Sequence, residues 1–139
     1  MKEYTWSDLH IGLKEEFEAT FATKDAIAFA ALSGDENPLH TDKTYAMNAG
    51  FSRPVLFGML TSSLYSRLVG VYLPGKFALL QGIDIDFSFP CFAGDRLNVT
   101  GEIVYMNEAY RRFEIKASIR KDDQKLVSKA TIRVGFHAR

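Results

Sequence analysis

Four runs of polar–apolar alternation fill the second half of the chain and leave it little choice of secondary structure. Ile83, Ile85, Phe87 and Phe89 alternate with Asp84, Asp86 and Ser88. The same period recurs in Leu97, Val99, Ile103 and Tyr105, in Phe113, Ile115, Ala117 and Ile119, and in Ala130, Ile132, Val134 and Phe136. Successive side chains of a strand point to opposite faces, so each run predicts a strand with one face in a core and the other in water. Short polar links, Asn107-Glu108 and Lys121-Asp122-Asp123-Gln124, favour antiparallel hairpins between them. Pro90 cannot donate to a ladder and is expected at the end of the first run or at a bulge. An earlier strand is expected over 13–21, with Leu13, Phe17, Ala19 and Phe21 in one phase and Lys14, Glu16 and Glu18 in the other.

Between these strands, from Thr23 to about Val71, the signals are helical. Thr23 reads as an N-cap, and the alanine-rich KDAIAFAALSG carries an apolar stripe at Ile27, Ala30 and Ala31 before stopping at Ser33-Gly34. A short helix is expected from Thr41 or Asp42 to about Asn48, ahead of Gly50. The third helical segment, from near Gly58 through MLTSSLYSRLV to Gly70, has Arg67 as its only charge, so most of its circumference should be buried. The simplest packing of these parts is an α+β fold in which an antiparallel sheet wraps a central apolar helix. No linker, repeat or low-complexity tract interrupts the 139 residues, which are expected to form one domain over 1–139.

Charge and cysteine content narrow the function. Seventeen basic residues balance seventeen acidic ones and are scattered, so the field that draws proteins to nucleic acid or to an anionic membrane is missing. No segment reaches the roughly 20 apolar residues that span a bilayer, and the N-terminus lacks a stretch of signal-peptide character. Cys91 is the single cysteine, which excludes an internal disulfide and a cysteine-rich metal cluster. A cytoplasmic location is expected. His10 and His137 make no usual ligand spacing with His40, and no metal site is expected.

Reactive groups concentrate in Ser33-Gly34-Asp35-Glu36-Asn37-Pro38-Leu39-His40. Pro38 lacks a donor and disfavours helix at the residue before it, so Asp35 and His40 are expected on an irregular loop that points both at one spot. A carboxylate and an imidazole converging on a water can orient and deprotonate it. The same residue types also serve as turn caps and a structural histidine, and the segment alone leaves both readings open. A second candidate is Arg53-Pro54-Val55-Leu56-Phe57-Gly58-Met59-Leu60, where a glycine at a helix N-terminus exposes backbone N–H groups suited to a developing oxyanion. Gly58 could equally serve close helix–sheet packing. Ser62 and Ser66, four residues apart, share a stripe with Val69 and could support a catalytic group or simply bond back to the backbone.

The run from Phe29 to His40 (FAALSGDENPLH), followed by Ala46, Arg53-Pro54 and Phe57-Gly58-Met59-Leu60, closely resembles the hydratase motif of the MaoC-like, R-specific enoyl-CoA hydratases. The resemblance extends from Asp8-Leu9 through Pro74-Gly75 to Gly94-Asp95. It implies a hot-dog fold, a homodimer whose sheets join side by side, and a site in which Asp35 and His40 hold the water. It also implies that the Gly58 amide binds the thioester oxygen and that Ser66 matches a serine of the family's active-site helix. Val69, one turn beyond Ser66, would then bound the acyl pocket. Many members carry histidine immediately before the glycine, where this chain has Phe57; the backbone amide survives that change.

The activity so implied is reversible hydration of a trans-2-enoyl thioester to an (R)-3-hydroxyacyl thioester, on acyl-CoA or an acyl carrier protein, without a cofactor. One acid/base pair and one oxyanion donor suffice for it. The rival readings are a hot-dog thioesterase, whose water attacks the carbonyl, and a non-catalytic acyl-thioester binding module, which needs no Asp35/His40 pair.

Overall fold

The computed structural model describes residues 1–137. Five strands, β1 (Lys14–Thr20), β2 (Ala78–Phe87), β3 (Arg96–Asn107), β4 (Arg112–Lys121) and β5 (Leu126–Phe136), form one antiparallel sheet in the order β1-β3-β4-β5-β2. The alternation seen in the sequence sets its two faces. Leu97, Val99, Phe113, Ile115, Ala117, Ile119, Ala130, Ile132, Val134 and Phe136 are buried, with Thr100, Lys116, Arg120, Thr131 and Arg133 opposite them in water.

Four helices connect β1 to β2: α1 (Thr23–Ser33), α2 (Pro38–Thr41), α3 (Lys43–Asn48) and α4 (Gly58–Arg67). The last turns into a wider π-type turn over Leu68–Tyr72, closed by the Leu73 N–H donating to the Leu68 carbonyl at 2.8 Å. Leu60, Leu64, Tyr65 and Leu68 join the sheet's inner face in a single core, so the sheet wraps α4. The Tyr65 and Ser128 hydroxyls, 2.7 Å apart, tie α4 to β5 inside that core, and burial pushes the Tyr65 phenol up to about 12. This is the hot-dog arrangement.

Several details depart from the expectations. Tyr105 is exposed although it continues the phase of Ile103, because a bulge between Ile103 and Tyr105 shifts the register with β4 and reverses the faces. Phe87 and Phe89 are exposed: Phe87 is the last residue of edge strand β2, and Phe89 lies beyond its end. In α1 the half-buried apolar residues are Ala26, Phe29 and Ala30, while Ile27 and Ala31 face out. Phe29 decides that phase by packing on Phe57, with ring centroids 4.8 Å apart. Ala22, not Thr23, occupies the N-cap; its N–H donates to the Asp25 carboxylate at 2.7 Å. Helix α4 leaves Met59, Ser63, Ser66 and Arg67 exposed, a larger open face than its composition suggests.

Candidate active site

The loop after α1 is shaped by a chain of short-range hydrogen bonds. Gly34 closes α1 in the left-handed region at φ 75°, where a side chain would be strained. Asp35 follows, exposed, its N–H donating to Ser33 Oγ at 3.1 Å and its Oδ1 accepting from the Asn37 N–H at 3.1 Å. One carboxylate oxygen is thus engaged in an Asx turn. Asn37 Oδ1 accepts from the Leu39 N–H at 3.0 Å and caps α2, which has Pro38 in its first turn. His40 therefore stands on one turn of helix, not on irregular loop. A proline at the first helical position needs no donor, and the asparagine cap made that turn possible. Asn37 links the two candidates: its N–H reaches Asp35, and its carbonyl accepts from the His40 N–H at 3.0 Å. Among the described residues no hydrogen bond joins the two side chains directly.

His40 is held on three sides. Its Nδ1 lies 2.7 Å from the Val55 carbonyl oxygen. A carbonyl can only accept, so Nδ1 carries a proton and, in the neutral ring, Nε2 keeps its lone pair. The Phe57 ring, 1% exposed, lies against the imidazole with centroids 4.3 Å apart. The strand-like segment before α4 is itself fixed, Val55 N–H donating to the Leu39 carbonyl at 3.1 Å and Leu56 N–H to the Cys91 carbonyl at 2.9 Å. Burial, with the Asp95 charge adding to it, pushes the Cys91 thiol up to about 11. His40 faces a cleft of about 220 Å³ lined by Ala26, Ile27, Arg53, Pro54, Val55 and Ala93, among others.

Gly58 follows Phe57 and opens α4, so its N–H has no carbonyl of its own helix to bond. Its carbonyl accepts from the hydroxyls of Thr61 at 2.9 Å and Ser62 at 2.7 Å. Ser62 thus bonds back to the backbone. A Cβ at position 58 would stand 2.9 Å from Cε1 of Phe87, so glycine here admits close packing as well as exposing an amide. The close-packing reading of Gly58 holds in the structure.

His40 and Gly58 are brought together through Phe57, and Asp35 through Asn37. Ser66 and Val69 are not part of that cluster. Ser66 is exposed two turns along α4, whereas Val69 is 2% exposed and packs in the core. The shared stripe fails within α4 itself: Ser62 and Tyr65 face the core, and Val69 continues their stripe, whereas Ser66 lies on the exposed side with Ser63 and Arg67. Sequence reasoning missed the Val55 carbonyl, a backbone group that no side-chain pattern reveals. It also missed Phe57 as the bed of His40.

A family profile described as a MaoC like domain matches residues 9–124. The chain is 40% identical over 100 residues to an (R)-specific enoyl-CoA hydratase of Aeromonas caviae, covering 72% of this chain and 75% of the relative. It is 32% identical over 110 residues to the mitochondrial 3-hydroxyacyl-acyl-carrier-protein dehydratase FERN of Solanum lycopersicum, covering 79% of this chain and 66% of that one. The solved (R)-hydratase of A. caviae superposes with a TM-score of 0.88 at 34% identity, covering 92% of this chain and 97% of the other. Similarity of sequence and of fold over most of the length agree, and the chain belongs to the MaoC-like domain family.

Proposed function

We propose that this chain catalyses reversible hydration of trans-2-enoyl thioesters to (R)-3-hydroxyacyl thioesters, with Asp35 and His40 holding the water and the Gly58 amide receiving charge on the thioester oxygen. The observation that carries this reading is the 2.7 Å contact of His40 Nδ1 with the Val55 carbonyl. It supports a role for Nε2 in proton transfer, because in the neutral ring that nitrogen is the one left with a lone pair. In the forward direction the oxygen of water bonds C3 and gives up one proton to the pair. One proton passes from the pair to C2, so no co-reactant is consumed. Negative charge on the thioester oxygen rises toward the transition state, where an amide without a carbonyl partner is worth most.

Relatives named as acting on CoA and on acyl-carrier-protein substrates support both carriers. Acyl-CoA is the first choice, because the balanced and scattered charge offers no basic patch for an acidic protein. The chain acts as one domain over 1–139 in a cytoplasmic setting. The free, buried Cys91 fits a reducing compartment, and among the described residues no helix is long and apolar enough to cross a membrane.

The working form is a homodimer. Edge strand β1 is guarded by exposed Lys14, Glu16 and Glu18, whereas edge strand β2 exposes Leu79 and Leu80, each 48%, together with Phe87. Although β2 also exposes Asp84 and Asp86, it carries more exposed apolar surface than β1 and is the edge better suited to pair with a second copy.

Crotonyl-CoA tests the activity. Loss of the double-bond absorbance without release of thiol is the expected result. Free thiol would identify a thioesterase, and neither signal, despite binding, an acyl-thioester binding module.

A further inference from the structure

The ring of Phe87 lies on the one face of Gly58 that glycine leaves open. The position of a Cβ at residue 58 is 2.9 Å from Phe87 Cε1, 3.0 Å from Cζ and 3.4 Å from Cδ1, so the ring edge meets the glycine Cα directly. That Cβ position is only about 2.5 Å from the residue's own amide nitrogen. An oxygen accepting from the amide would sit about 2.9 Å beyond it. The Phe87 ring therefore stands within a few ångströms of the space in which an oxygen bound at the Gly58 N–H would sit. Phe87 is 53% exposed in the single chain and stands at the β2 edge proposed above to meet the second copy, so the side of the ring away from Gly58 faces that partner in the dimer. Its backbone is held by pairing with Ser128 on β5, whose hydroxyl contacts Tyr65 of α4. Strand, helix and ring are thereby kept in a fixed relation.

We infer that Phe87 is a positioning residue for the hydration reaction, an apolar wall that excludes water from the oxygen bound at the Gly58 amide. The inference rests on the function proposed above. A hydrogen bond to developing charge is worth more where water is kept away, because the local dielectric falls and no solvent competes for the oxygen. The wall therefore acts more strongly on the transition state than on the bound substrate. Because it stands at the thioester and not along the acyl tail, its effect is the same for every chain length.

Two variants of similar bulk separate water exclusion from packing. Phe87→Leu keeps an apolar wall, whereas Phe87→Gln places a hydrated amide in the same space. With crotonyl-, 2-hexenoyl- and 2-octenoyl-CoA, Phe87→Gln is expected to lower kcat about tenfold by the same factor at each length, with KM nearly unchanged. Phe87→Leu should stay within about twofold of the wild type. Melting temperature and light scattering are read on the same samples. Equal kcat in the two variants overturns the inference, as does a loss that grows with acyl length or that tracks dissociation of the oligomer. Wild-type protein that hydrates none of the three substrates overturns the proposed function and this inference with it, whereas an active wild type with an unaffected Phe87→Gln overturns the inference alone.

Discussion

His40 is the residue whose surroundings say most about its task. Its Nδ1 is spent on the Val55 carbonyl, its face lies on Phe57, and the residue lines the cleft beside Arg53 and Pro54. His40→Gln removes the titrating ring, and Asp35→Asn removes basicity while keeping shape. Each is expected to lower crotonyl-CoA turnover by about 100-fold or more, with a much smaller change in melting temperature, since Asp35 is exposed and His40 half-buried. The double variant should be little worse than the poorer single one, because two groups acting on one water do not lose their effects independently. Near-normal turnover in either single variant would remove that residue from the chemistry. Cys91 gives a second expectation at this scale. Its thiol, raised to about 11, is almost wholly protonated at neutral pH and is buried, so an aromatic disulfide reagent should titrate it only after unfolding. Both acid/base candidates were legible as a motif in the sequence. Their orientation was not, because it depends on a backbone oxygen fifteen residues away from His40.

At the scale of elements, two short devices set where the site stands. Helix α2 is a single turn that exists because Asn37 caps it and Pro38 starts it. Asn37→Ala removes the acceptor for Leu39 N–H and should cost about 1 kcal/mol in stability while lowering kcat, since the same residue places His40; denaturant titration and steady-state kinetics read the two effects. Helix α4 is clasped to β5 by Tyr65 and Ser128. Tyr65→Phe leaves the fully buried Ser128 hydroxyl without that partner and should cost about 1–3 kcal/mol. The phenol also carries a pH signature. Its pKa is raised from 10.0 to about 12 in the folded state, so folding stability is undiminished below pH 10 and falls as pH rises from 10 toward 12. Tyr65→Phe should lack that part of the alkaline loss. The existence and order of these elements followed from hydrophobic period and cap residues. The π-type turn after Arg67 did not, nor did the division that leaves Val69 in the core and Ser66 facing out. Val69→Ala is therefore expected to destabilise the fold by about 2 kcal/mol, the cost of a small core cavity, before any change in chain-length preference is seen.

For the whole molecule, the asymmetry of the sheet's two edges is the decisive feature. Leu80→Lys adds charge beside the exposed leucines of edge strand β2, so light scattering is expected to show a monomer for the variant and a dimer for the wild type. An unchanged dimer would place the contact elsewhere. Local periodicity determined most of the architecture: the run Phe113 to Ile119 can bury one face only as a strand, and GMLTSSLYSRLV can be satisfied only as a mostly buried helix. Motif order likewise determined the family and the candidates Asp35, His40 and Gly58. What only the tertiary structure decided were relations between residues far apart in the chain. These are the Val55 carbonyl on His40, Phe57 beneath its ring, and Phe87 against Gly58 across twenty-nine positions. They arise from how the sheet closes on α4, and neither a one-residue bulge nor a widened turn that redirects them leaves a mark in local amphipathic pattern.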